Sequence, residues 1–277
     1  MNDSHHNTSA SGARMPVLFV PHGAGPCFFM DWSPADTWQR LAGFLKGVAD
    51  TLPARPQAIV LVSGHWLEQD FSLTGSERPP LIYDYYGFPP HTYQLTYPAP
   101  GQPELAQRVR QRLEQGGLAA GIDDARGFDH GVFIPLKLMF PEADIPVIQL
   151  SLRHDLDPVA HIEAGRALAA LRDEGVLIVA SGMSFHNMRG YGDPRFTPLS
   201  AEFDDWLSAA VASEPAQRDA LLGDWARAPH ARLCHPPGGE EHLLPLMVAA
   251  GAGADSEGRK VYSEKIMETT ISAFRFG

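Results

Sequence analysis

Three apolar, largely β-branched runs in this chain each end at a small-residue break and then at a histidine. That repeated construction limits the folds open to the chain. Pro16–Pro21 (Pro-Val-Leu-Phe-Val-Pro) leads into His22-Gly23. Ala58–Val62 leads into Ser63-Gly64-His65-Trp66, and Val176–Ala180 into Ser181-Gly182-Met183-Ser184-Phe185-His186. A continuous apolar run between such breaks reads as a strand buried on both faces, as at the centre of an α/β sheet. Parallel strands of that kind bring their carboxyl ends to one rim, where open α/β sheets place their ligands. The expected fold is α/β and single-domain, with a central, mostly parallel sheet flanked by helices and His22, His65 and His186 gathered at one edge.

The rest of the chain supplies the helices and further strands. Helical spacing of Trp38, Leu41, Phe44, Leu45 and Val48 predicts a helix over Pro34–Thr51, which makes the opening a β-α-β unit. Pro103–Gln115 reads as a helix with Leu105, Val109 and Leu113 on one face. Asp157–Glu174 reads as another, with Asp157-Pro158 as its N-terminal cap and Gly175 closing it. Pro198–Val211 and Glu214–Leu222 are predicted helical, and Glu240–Ala250 a helix interrupted by Pro245. Ile145–Leu150 reads as a buried strand, Phe71–Leu73 as a short edge strand, and Lys260–Phe276 as one or two late strands. Gly127–Gly131 is a turn, followed by an apolar helix or strand over Val132–Phe140. Pro79–Pro103, with six aromatic residues from Tyr83 to Tyr97 punctuated by prolines, is a long irregular stretch. It serves either as a structured surface loop or as the wall of an aromatic pocket.

Charge and composition exclude several function classes. The net charge is −11, from 22 basic and 33 acidic residues, with no basic cluster, which argues against nucleic acid or an anionic membrane as partner. No apolar stretch approaches the roughly 20 residues of a membrane span. Met1–Arg14 lacks an apolar core and is expected to be a disordered tail rather than a secretory signal, its His5-His6 pair incidental. Two cysteines, Cys27 and Cys234, rule out a disulfide framework and suit a reducing, cytoplasmic compartment. Their spacing forms no metal-binding pair, so both read as small buried residues. There is no phosphate loop, dinucleotide fingerprint or G-x-S-x-G elbow, so no nucleotide cofactor is expected. The sequence leaves homo-oligomerisation open.

Five of the twelve histidines lie beside Gly, Pro or small-residue breaks and can converge: His22, His65, His130, His186 and His242. Neutral imidazoles suit Zn(II) and Fe(II), and open coordination positions on Fe(II) suit oxygen chemistry. His235, Glu240 and Glu241 stand close to His242 in sequence as further ligands or as groups that orient one.

Taken together, the residues resemble the class III extradiol aromatic-ring-opening dioxygenases, which share the fold of the protocatechuate 4,5-dioxygenase β subunit. The DOPA 4,5-dioxygenase branch is the nearest. The segments that carry the resemblance are Pro16–Gly23, Pro56–Trp66, Ile82–Pro89, Tyr97–Gly101, Gly127–Gly131, Asp144–Ser151, Val179–Asn187 and Glu241–Pro245. One departure is Ala24-Gly25, where Ser-Pro commonly follows His-Gly. The resemblance implies a catalytic domain over residues 15–277 and one mononuclear non-haem metal site. It implies His22, His65 and His242 as ligands, with Glu241 standing beside the third position. His186 would be either a fourth ligand or the catalytic base, and His130 would face substrate and oxygen. The implied reaction is Fe(II)-dependent insertion of O₂ into a DOPA-like or other small catechol, opening the ring to a muconic semialdehyde. Zn(II) can occupy such a site in a preparation. Two rival readings are a zinc-dependent hydrolase, because three histidines and an open position also activate water, and a non-enzymatic binding protein on the same fold.

Overall fold

The computed structural model describes residues 13–277, so most of the predicted tail, His5-His6 included, lies outside the described residues. Eight strands form one sheet: β1 (Val17–Pro21), β2 (Ala58–Glu68), β3 (Phe71–Thr74), β4 (Ala120–Asp123), β5 (Val147–Arg153), β6 (Val176–Gly182), β7 (Gly258–Ile266) and β8 (Thr269–Phe276). Their order is β4-β3-β5-β2-β6-β1-β8-β7. The centre, β5-β2-β6-β1, is parallel throughout, and its strands are buried almost end to end, as their unbroken apolar runs require. Antiparallel pairing enters only towards the edges, where β8 joins β1 and β3 joins β5.

The helices are α1 (Gln39–Gly47), α2 (Pro103–Gln115), α3 (His130–Met139), α4 (Pro158–Leu168), α5 (Phe196–Ala212), α6 (Pro215–Gly223), α7 (Ala231–Cys234) and α8 (Leu244–Ala252). No helix among the described residues is long and apolar enough to cross a membrane. Asp157 caps α4 as its sequence suggests, its carboxylate accepting from the Val159 N–H at 3.0 Å. The last turns of the predicted helix are 3₁₀, over Ala169–Glu174, and end at Gly175 with φ of 77°.

Several expectations are corrected. Strand β2 runs on to Glu68, so His65 lies within it rather than past its end. The register against β5 shifts between Val62 and Leu67, so residues 63–66 leave that ladder while the strand continues. Phe71–Thr74 is not an edge: the four-residue β4, too short and weakly patterned to be read from sequence, pairs outside it. Helix α1 is shorter than Pro34–Thr51, because residues 34–38 form turns before it. Pro245 does not interrupt α8. It sits in the first turn, where its missing N–H leaves no bond unmade. Lys260–Phe276 resolves into the hairpin β7–β8.

Two helices matter most for the site. Every residue of α8 is buried, and it packs on β6, β1, β2 and α4. Helix α3 is buried at every residue but Lys137 and packs on β2 and β6. Pro135 inside α3 has no N–H to give the Gly131 carbonyl. That carbonyl accepts the Ser181 hydroxyl of β6 instead, which ties the first turn of α3 to the sheet. Helices α4 and α8 meet backbone to backbone. A Cβ on Gly251 would overlap the Ile162 carbonyl oxygen, and one on Gly165 the Val248 carbonyl oxygen. Gly251→Ala is therefore expected to lower unfolding free energy by about 1–3 kcal/mol through overpacking. Urea denaturation measures it, and an unchanged midpoint would show that the two helices can separate at no cost.

Candidate metal centre

Four chain segments deliver histidines to one spot. His22 follows β1, its N–H donating to the Gly182 carbonyl at the end of β6. His65 projects from the irregular part of β2, where its N–H donates to the Ser63 hydroxyl at 3.1 Å. Ser63 donates in turn to the buried Asp129 at 2.7 Å, so the local backbone is pinned from below. His242 sits in the turn before α8, its carbonyl accepting from the Met183 N–H at 2.9 Å. His130 opens α3 directly after Asp129.

The ring nitrogens of three of these converge. His65 Nε2 lies 3.3 Å from His22 Nε2 and 3.2 Å from His242 Nε2. The opposite nitrogens identify the tautomers. His22 Nδ1 is 2.9 Å from the Gly23 carbonyl, and His242 Nδ1 is 2.8 Å from a Glu241 carboxylate oxygen. Both partners only accept, so both Nδ1 atoms donate and both Nε2 atoms present lone pairs. His65 Nδ1 faces Asp84 at 3.6 Å, which favours the same tautomer. Three lone pairs directed at one point repel unless a cation stands among them, and neutral imidazole is a ligand for Zn(II) and Fe(II) alike. The residues present fit such an ion.

The electrostatics agree. Burial, reinforced by the neighbouring rings, holds His22 and His242 well below the usual histidine range. Burial, with His130 next in weight, brings His65 down to about 3. The trio is neutral at pH 7, as metal ligation requires.

His186 is not one of the three. Its ring stacks on that of His242 with centroids 3.5 Å apart and 16° between planes, and its Nδ1 faces Glu241 at 3.9 Å. Burial lowers it to about 4, so it too is neutral at pH 7. His130 flanks the trio, its ring 4.0 Å from that of His65. Asp84 accepts from its backbone N–H at 2.9 Å and from its Nδ1 at 2.8 Å. Burial alone would raise the Asp84 carboxyl, but the His130 contacts outweigh it and hold the group ionised. His235 stands apart: buried, its Nε2 faces the Ser184 carbonyl at 3.0 Å. Glu240 pairs with Arg232. Both cysteines are free and buried, and burial raises both thiols.

Sequence reasoning missed Asp84 and Asp129. The usable signal was a lone carboxylate amid tyrosines and prolines in one case, and an acid directly before a histidine in the other. The aromatic stretch also differs from its pocket-wall reading. Tyr83, Tyr85 and Tyr97 give their hydroxyls to the carbonyls of Leu95, Thr92 and Phe140. These tyrosines brace the loop, and Phe88 alone from it lines the cavity at the histidines. That cavity, about 350 Å³, is completed by Trp32, Trp38, Met183, Met188, Tyr191 and Met267.

Comparison with known proteins agrees with this architecture. The family described as catalytic LigB subunit of aromatic ring-opening dioxygenase matches residues 16–275. The chain is 37% identical to a dioxygenase, tasH, of Hapsidospora irregularis, over 95% of this chain and 85% of that one. It is 39% identical to the 4,5-DOPA dioxygenase extradiol of Escherichia coli K12, over 87% and 86% of the two chains. It is 41% identical to the enzyme of that name from Beta vulgaris, over 87% of each. The crystal structure of an uncharacterized Escherichia coli K12 protein superposes with a TM-score of 0.75 at 32% identity, covering 95% of this chain and all of that one.

Two outcomes are expected of the metal-free protein. The first concerns acid. Six buried or half-buried histidines (His22, His65, His161, His186, His235 and His242) have depressed pKa values in the folded state, His161 and His186 at about 4, and His65 and His235 at about 3. The unfolded chain takes up protons near pH 6.5 while the folded one does not. Stability is therefore fully present above about pH 6.5 and falls as pH drops from there towards 4 and 3, by up to about 1.4 kcal/mol per pH unit for each such group. Urea titrations at stepped pH measure this, and a flat profile across that window would contradict it. The second concerns Gly182, where an added Cβ would overlap the His242 carbonyl oxygen. Gly182→Ala should displace His242 and weaken metal uptake about tenfold or more. Isothermal titration with Zn(II) reads this directly, with far-ultraviolet circular dichroism to check that the fold persists.

Proposed function

The chain belongs to the family of catalytic LigB subunits of aromatic ring-opening dioxygenases, and we propose that it cleaves a catechol in an Fe(II)-dependent reaction centred on His22, His65 and His242. The observation that carries the proposal is the convergence of three Nε2 lone pairs at one end of a cavity whose other walls are aromatic and thioether side chains. Family membership makes the chain a ring-cleaving extradiol dioxygenase, which leaves the hydrolase and binding-protein readings without support. A DOPA-like or other small catechol fits a pocket of this size, and both atoms of O₂ would end in the ring-opened muconic semialdehyde. When bound, Fe(II) supplies Lewis acidity towards the catechol oxygens and the redox activity that zinc lacks.

The chain's own residues supply positioning and proton handling. His22, His65 and His242 hold the ion, with Gly23, Glu241 and Asp84 fixing the orientation of their rings. His186 is neutral at pH 7 and stands beside the trio, where it can accept a phenolic proton. The anionic substrate that results would favour its charged form. His130 keeps its Nδ1–H on Asp84, which leaves the Nε2 lone pair to accept a hydrogen bond from a substrate hydroxyl. Gly23, Ala24 and Gly25 leave the wall beside His22 free of bulky side chains, so a planar ring can approach.

The test is anaerobic loading of metal-free protein with Fe(II) or Zn(II), followed by a catechol panel and admission of air. Oxygen uptake with a yellow product is expected with iron alone, and silence with iron across the panel would overturn the reading. In the iron enzyme, His186→Gln should lower kcat by about 10²–10⁴-fold as a lost general base. Its iron content should remain intact, and loss of iron instead would make His186 a ligand.

A further inference from the structure

We infer that the preferred catechol carries an uncharged, apolar ring substituent, an inference that rests on the catechol-cleavage reading above. Beyond the histidines, the cavity wall is built from Trp32, Phe88, Met183, Met188, Tyr191 and Met267, with no Arg, Lys, Asp or Glu among the described lining residues. The charged groups nearest in sequence to the wall are already engaged or outside it. Asp84 is held by His130, Glu241 by His242, and Glu268 by Thr197 and Lys265. Arg189, next to Met188, is exposed and does not line the cavity. Even the Tyr191 hydroxyl is committed, donating to the Phe185 carbonyl at 2.9 Å.

The mouth points the same way. Met188 is 73% exposed there, an apolar side chain left in water at the rim. Met267 reaches the cavity from the β7–β8 turn, where it and Glu268 adopt φ of 45° and 65°. A two-residue hairpin turn requires positive φ at both central positions, and Ile266 and Thr269 pair directly across this one. The Gly192 N–H donating to the Met267 carbonyl at 2.7 Å pins the turn in place. Two flexible thioethers at one rim suit an apolar group of variable shape.

A carboxylate or amino-acid substituent seated on this wall would give up water with no partner in return. Each methylene buried there would instead be worth roughly fourfold in binding. The iron-loaded enzyme is therefore expected to turn over 4-ethylcatechol with kcat/KM about tenfold or more above that for DOPA and for protocatechuate. Calorimetric binding of the same three compounds to the zinc-loaded protein, which does not turn over, should give the same order. Equal or better values for either charged catechol would overturn the inference. If no catechol is cleaved, the ring-opening reading fails, and the binding order still decides the substituent. Met188→Arg, at an exposed position where folding is not at stake, should narrow the ratio of 4-ethylcatechol to protocatechuate several-fold. An unchanged ratio would remove the rim from substrate selection.

Discussion

The Nε2 atom of His65 stands 3.3 Å from that of His22 and 3.2 Å from that of His242, and the Nδ1 contacts of His22 and His242 turn lone pairs towards it. The rest of the structure is arranged around that constraint. Protonating any one ring would place a charge in a buried pocket beside the others, and burial already holds all three far below their usual range. Rotating a ring would break the Nδ1 contact to Gly23 or Glu241 that fixes its tautomer. A divalent cation among these nitrogens would relieve the repulsion, and the Nδ1 contacts already fix the rings of His22 and His242.

The backbone sets those distances. Strands β1 and β6 run parallel in register to Pro21 and Gly182, which places His22 beside the end of β6. The irregular stretch of β2 brings His65 into the same space, held through Ser63 to Asp129. The turn bearing His242 lies close against two strands, because Gly64 and Gly182 have no Cβ to keep it off. The acidic residues around the site serve the histidines: Asp84 holds His130, and Glu241 holds His242 beside His186. This division leaves the non-histidine lining of the cavity without a charged side chain among the described residues.

The parallel centre of the sheet was legible because strands buried on both faces must be apolar at every position, and four such runs exist. The edges were less so. Strand β4 is four residues with a glycine and an aspartate, and only its pairing with β3 makes it a strand. The tyrosines of residues 83–97 looked like a stacking surface, since composition shows rings but not where hydroxyls point. In the fold those of Tyr83, Tyr85 and Tyr97 turn to backbone carbonyls and stiffen the loop that carries Asp84 and Phe88.

By itself the sequence determined the α/β class, the strands that form the sheet centre, and the histidines that reach its carboxyl rim, because hydrophobic burial and chain direction act through local pattern. Only the tertiary structure brings the ring nitrogens of His22, His65 and His242 together, stacks His186 on His242, and sets Asp84 against His130. Those outcomes depend on separations of a few ångströms between residues as distant in the chain as His65 and His242, 177 positions apart. Such separations are fixed by a shift in strand register, by glycines that admit a neighbouring backbone and by a proline that frees one carbonyl, and their effect is expressed only once the packed neighbours are present.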